Sequence, residues 1–202
     1  MDSGSSERPD RAPLRSSVTE GVKIVIVGGF GAGKTTMVRS VSEIRPLNTE
    51  ETMTQASIGV DHNAGTADKT TTTIAFDFGR ISLNRQMVLY LFGAPGQERF
   101  RFLWERLFTG TLGAVVLVDT RRLEDSWHAI DLLESRRIPF IVARNNFPGP
   151  QHGLDAVREA LTLSEGVPLI DCDARERESS KQVLIALVSH VYELSCAREV
   201  MS

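Results

Sequence analysis

The chain has 202 residues, enough for one domain with a full core, and 41% of them are hydrophobic against 24% charged, an ordinary soluble mixture. A formal net charge of −3, with acids and bases interspersed, argues against a nucleic-acid binder, which carries a basic surplus or stripe. No apolar run reaches the roughly 18 residues of a membrane-spanning helix, and Cys172 and Cys196 stand apart without metal-ligand spacing, as reduced thiols do.

Residues 1–21 are polar and rich in Ser, Pro and charge, which predicts a disordered tail rather than a signal peptide. Asp2 follows Met1 where myristoylation needs glycine, and AREVMS carries no prenylatable cysteine. No direct membrane anchor is therefore expected. The run VKIVIVG (Val22–Gly28) reads as a fully buried strand. A glycine-rich turn follows, then a helix with Met37, Val38, Val41 and Ile44 on one face. From Arg45 to Thr72 the chain lacks periodicity and reads as a long functional loop. Ile74, Phe76 and Phe78 alternate with polar or small residues, and QMVLYLFG pairs with them as a hairpin across Leu83–Gln86.

After Gly93 the chain loosens, then turns helical from Phe100 to Thr109. Leu112–Asp119 and Ile138–Ala143 are buried strands, separated by a helix over Leu123–Arg137. A short helix over Leu154–Leu163 leads into the strand VPLID, and a last helix covers Ser179–Cys196. This alternation predicts an α/β fold of the P-loop NTPase kind: a six-stranded, mostly parallel sheet with one antiparallel hairpin strand and helices on both faces. The domain is expected to span 22–196, leaving 197–202 as a tail.

Within GGFGAGKTT, Gly28, Gly33, Lys34 and Thr35 fit G-x-x-x-x-G-K-[ST]. The backbone of Gly29, Phe30, Gly31, Ala32 and Gly33, continuing into Thr36, would turn its N–H groups toward phosphate oxygens. The helix beginning after Lys34 aims its positive end at the same place. Lys34 would reach the β- and γ-phosphates, and the Thr35 hydroxyl would meet Mg²⁺. A buried strand before the motif and an amphipathic helix after it supply the required context.

The second motif is LYLFGAPGQERF, whose Gly96 and Gln97 follow the hairpin. From about Val22 to Glu193 the chain resembles the Ras-like small GTPases, and within them the GTPases of actinomycete conservon operons (CvnD-type). The runs KIVIVGGFGAGKTT, DKTTTTIAFDFGRISL, YLFGAPGQERF, GAVVLVDTRRLED and DCDARERES carry this resemblance. More distantly the chain is similar to the MglA polarity GTPases, which share the PGQ form.

The resemblance implies a cytoplasmic switch that cycles between GTP and GDP with Mg²⁺ and hydrolyses slowly. It also implies Roadblock-type and sensor-kinase-like partners encoded in the same operon, through which any membrane recruitment would run. Gly96 would contact the γ-phosphate and Gln97 would orient the attacking water. Thr73, in TIAFDF, stands where the family's switch threonine binds Mg²⁺, with Thr70, Thr71 and Thr72 as neighbouring registers. Asn145 matches the asparagine of N-K-x-D and Asn146 follows it. Asp173, Ala174 and Arg175 match S-A-K, whose backbone reads the guanine oxygen.

Two departures stand out. Gly93 replaces the Walker B aspartate, leaving Asp77 on the facing strand as the candidate metal carboxylate. Pro148 replaces the aspartate that would accept from guanine, which weakens the expected preference for GTP over ATP. Against the switch stand two rival readings: a nucleotide-binding scaffold with little hydrolysis, and a small-molecule kinase. The four histidines are scattered without ligand spacing, and Trp104 and Trp127 are expected to pack or to meet a partner.

Overall fold

The strand β1 (Glu20–Val27) lies between β4 and β5, and its inner half is inaccessible on both faces. Ile24 and Ile26 point to one side of the sheet, Val25 and Val27 to the other. Two-sided burial is why this segment is an unbroken apolar run rather than an alternating one. The computed structural model describes residues 14, 17–45, 47–54 and 71–200.

The remaining strands are β2 (Leu47–Thr54), β3 (Thr71–Ser82), β4 (Met87–Gly93), β5 (Gly113–Val118), β6 (Phe140–Asn145) and β7 (Leu169–Cys172). They form one sheet in the order β2-β3-β4-β1-β5-β6-β7. All pairings from β4 to β7 are parallel, whereas β3 runs antiparallel to both of its neighbours. Helices α1 (Lys34–Val41) and α5 (Arg177–Val200) pack on one face through Met37, Val38, Val41, Leu184 and Leu187. Helices α2 (Trp104–Phe108), α3 (Trp127–Ser135) and α4 (Leu154–Ala160) cover the other through Phe108, Ile130, Leu133 and Val157. Parallel strands joined by crossover helices require covering layers of this kind.

The six expected strands are present, and β2 adds a seventh at the edge. It lies inside the stretch expected to be a loop. Its residues, LNTEETMT, carry no apolar alternation, but an edge strand can pair through backbone groups alone. Residues 55–70 of the same stretch, Thr70 included, lie outside the described residues. Two helices also begin differently: 3₁₀ turns at Glu98–Leu103 and Leu123–Ser126 precede α2 and α3.

α5 continues to Val200, past the expected end at Cys196. Most of the expected N-terminal tail lies outside the described residues. Ser17 Oγ donates to the Arg85 carbonyl at 2.6 Å, and Thr19 N–H donates to the Gln86 carbonyl at 2.9 Å. The chain is thus held at the hairpin turn before β1 begins.

Candidate nucleotide site

The carboxyl ends of β1 and β4 open onto a cleft of about 550 Å³. Its walls include Phe30, Gly31, Gly33, Lys34, Thr35, Thr36, Asp77, Gly96 and Gln97. Nine of the residues expected at the phosphates or metal are therefore brought together. The turn from β1 to α1 holds Gly33 at φ +101°, where a Cβ would lie 2.4 Å from Asn145 Nδ2. Only glycine can occupy that position.

Lys34 is the electrostatic centre. Its side chain is buried, and Nζ donates to the carbonyls of Gly28 at 3.0 Å and Gly29 at 2.6 Å. Burial pushes its pKa down to about 8, against the upward pull of Asp77 and then Asp125. A cation desolvated and bonded only to neutral oxygens gains strongly from an incoming anion.

The Thr35 hydroxyl donates to Asp77 Oδ2 at 2.5 Å. Asp77 is the ladder partner of Gly93 across β3 and β4. A Cβ on Gly93 would lie 3.0 Å from Asp77 Cβ and 3.1 Å from its Oδ2. The Asp77 carboxylate thus fills the space that a side chain at Gly93 would take. The residues present fit Mg²⁺, which prefers hard oxygen donors from one or two side chains together with substrate phosphates. Among the described residues no cluster of three or more His, Cys, Asp or Glu could hold a metal by itself.

Gly96 is packed against the P-loop. A Cβ there would stand 2.6 Å from Lys34 Nζ and 2.8 Å from the Gly29 carbonyl oxygen. This closeness is held from behind by Trp104, a buried residue whose indole N–H donates to the Pro95 carbonyl at 2.9 Å. The role of Trp104 was open in the sequence. Gln97 Oε1 accepts from Arg99 Nε at 2.8 Å.

Thr73 is not delivered to the same place. Its backbone stands in the ladder opposite Thr52, four residues and about 13 Å along the strand from Asp77. Reaching the phosphates would require that end of the ladder to open.

The base-motif residues are not among those that line the cleft, although Asn145 backs its wall at Gly33. Asn145 is buried and spends both ends of its amide, Nδ2 on the Ala32 carbonyl and Oδ1 on the Ala174 N–H, each at 2.9 Å. The Ala174 N–H, expected to read a guanine oxygen, is therefore committed within the protein. The neighbouring N–H of Arg175 donates to Asp173 Oδ1 at 3.0 Å, and that of Asp173 to Ser179 Oγ at 2.8 Å.

The Arg175 guanidinium grips the Asp173 carboxylate through two bonds of 2.6 and 2.9 Å. Its hydrogen bonds hold the Asp173 pKa down at about 2. Asn146 and Asp173 face a separate pocket of about 380 Å³ with Arg144 and Asp171. Phe147 lies beneath the Arg121 guanidinium, 4.1 Å from the ring centre, while Arg121 itself is bonded twice to Asp119.

A buried strand, a lysine-bearing phosphate turn and a helix N-terminus at the carboxyl end of a parallel sheet define a P-loop nucleotide-binding protein. Residues 26–194 match the family described as "Conserved hypothetical ATP binding protein", and the chain belongs to that family. It is similar to the uncharacterized protein MJ1339 of Methanocaldococcus jannaschii, with 28% identity over 121 residues. The matched stretch is 59% of this chain and 66% of that relative, a little under two thirds of its length. In structure it is similar to the FeoB G-domain from Methanococcus jannaschii, at a TM-score of 0.56 and 15% identity. That likeness covers 86% of this chain and 99% of the FeoB domain, and it bears on the fold. No helix among the described residues is long and apolar enough to cross a membrane.

Proposed function

We propose that this protein is a nucleotide-dependent switch that binds a nucleoside triphosphate with Mg²⁺ and hydrolyses it slowly. One observation carries the reading. Lys34, Thr35, Asp77 and Gly96 converge on a single cleft, with Asp77 replacing the carboxylate that Gly93 lacks. Bound Mg²⁺ would neutralise charge on the β- and γ-phosphate oxygens, and Thr35 and Asp77 would hold it. Lys34 binds and orients the phosphates, the Gly96 N–H adds a donor, and Gln97 aligns water once it leaves Arg99.

The resemblance favours GTP and GDP as the nucleotide pair. With Pro148 offering no acceptor and the Ala174 N–H spent on Asn145, the margin over ATP is narrow. The same resemblance supports a cytoplasmic role in a bacterial signalling complex, with Roadblock-type and sensor-kinase-like partners setting the rate and carrying any membrane recruitment.

Single-turnover hydrolysis of GTP and ATP with excess Mg²⁺ tests the proposal. Gln97→Leu should slow the chemical step while leaving affinity within a few-fold, because the residue acts on water and not on ground-state phosphates. The Gln97–Arg99 bond favours one other reading, a scaffold that binds nucleotide and hydrolyses almost none. Wild-type hydrolysis no faster than that of Gln97→Leu would select the scaffold.

A further inference from the structure

The turn after β5 brings a second cation onto the phosphate loop. Arg122 Nη2 donates to the Phe30 carbonyl at 2.7 Å. The same nitrogen lies 3.3 Å from where a Cβ on Gly31 would stand. Gly31 thus leaves the crown of the loop open to a guanidinium that lies 92 residues beyond Phe30 in sequence. Arg122 is only loosely paired: Asp119 and Asp125 approach to 3.7 and 3.9 Å. Asp119 is taken up instead by Arg121, at 2.7 and 2.8 Å.

Among the described residues, the Phe30 carbonyl is the one hydrogen-bond partner of the Arg122 side chain. The guanidinium has five donors and is 45% exposed, so most of them are unspent beside a site built for an anion. Asp125 lies over Gly29, its Oδ2 2.7 Å from a Cβ position there. That carboxylate would repel a polyphosphate unless cations stood with it; Lys34 feels its charge, and Arg122 Nε approaches it to 3.9 Å.

We propose that Arg122 is an arginine supplied in cis to the transferring γ-phosphoryl group, an assignment that rests on the nucleotide reading above. In the step it serves, a water oxygen forms a bond to the γ-phosphorus. The bond from that phosphorus to the β–γ bridging oxygen breaks, and its electron pair stays on the diphosphate. The water's proton passes to the released phosphate. Charge grows on the bridging and γ-oxygens, and a guanidinium exchanging the neutral Phe30 carbonyl for those oxygens stabilises the transition state more than the bound substrate.

The test is partner-free single-turnover hydrolysis of GTP, with GDP affinity and formation of a GDP–aluminium fluoride complex measured on the same samples. An arginine in cis raises turnover to about 10⁻² s⁻¹, from a few times 10⁻⁴ s⁻¹ without one. Arg122→Ala should therefore slow hydrolysis about 10- to 100-fold, hold GDP affinity within about threefold, and lose the aluminium fluoride complex. Arg122→Lys, which keeps charge and reach but not the planar fork, should recover part of the rate. A brace of the loop would instead weaken GDP binding and hydrolysis together. That result, or an Arg122→Ala rate within about twofold of wild type, overturns the assignment alone. A wild-type chain that takes up no GTP overturns the nucleotide reading, and this assignment with it.

Discussion

At the phosphate end of the cleft the strong polar groups hold weak or provisional partners, whereas at the base end they have already satisfied one another. The Lys34 ammonium rests on two neutral carbonyls, and the Thr35 hydroxyl on a carboxylate that a metal could share. By contrast, the Asp173 carboxylate is bonded twice by Arg175, and Asn145 ties Ala32 to Ala174. A ligand gains free energy only from groups whose partners in the empty site are worse than those it offers. Affinity should therefore come from the polyphosphate, with little discrimination from the base.

The largest effect is expected at Lys34. Lys34→Ala removes two or more charge-assisted bonds to phosphate, each worth about 1.5–3 kcal/mol, so triphosphate affinity should fall by about 10²- to 10⁴-fold. Calorimetry measures this directly. Affinity within tenfold of wild type would mean that the phosphate end does not dominate.

The base end is sharpened by competition among GTP, ATP and ITP. Wild type should bind the three within about tenfold of one another, since neither the acceptor at Pro148 nor a free Ala174 N–H is present. Pro148→Asp should favour GTP over ITP, which lacks the 2-amino donor, by about 10- to 150-fold if the new carboxylate reaches it. A large penalty for ITP in wild type would show that another carboxylate already accepts from the base.

Asp77 tests whether the metal carboxylate has moved across the hairpin. Asp77→Asn should weaken the Mg²⁺ dependence of triphosphate binding by about 10- to 100-fold. The exchange Asp77→Gly with Gly93→Asp should restore it, because the two positions face each other and the side chains fill one space. Failure of the exchange, with both single variants folded, would place the metal elsewhere.

These contrasts also mark what could be read from residues in order along the chain. β1 and the phosphate turn were legible because both are contiguous: an apolar run, then glycines and Lys34 at fixed spacing. Asp77 could be nominated, but its match to Gly93 depends on hairpin register. β2 left no trace, since an edge strand paired through backbone groups needs no apolar alternation. The loss of the Ala174 N–H depends on how one buried amide, Asn145, is oriented, and neighbours in sequence do not determine that. Trp104 and Arg122 act on carbonyls 9 and 92 residues away, and their roles exist only once the chain has folded.

The smallest expected effect comes from the proton on Lys34. Burial lowers its pKa from 10.5 to about 8, so above about pH 8 the empty site holds mostly neutral amine. A bound polyphosphate favours the ammonium, and binding above that pH takes up a proton. Affinity for GTP, measured in EDTA to leave the metal out, should be flat from pH 6.5 to 7.5 and then fall. The steepest slope is about tenfold per pH unit. Folding has the opposite sign. Below pH 8 the fold bears the whole cost of burying a charged lysine, and that cost is relieved as pH rises from about 8 toward 10.5, where the unfolded chain also loses the proton. The contribution of Lys34 thus makes the empty protein more stable over the range in which it loses affinity. Thermal unfolding recorded beside the binding series separates this from alkaline denaturation. Affinity and stability falling together, with the same midpoint, would rule out Lys34 as the titrating group. A flat affinity to pH 9.5 would mean that the amine stays charged in the empty site, and that burial weighs less there than Asp77 and Asp125.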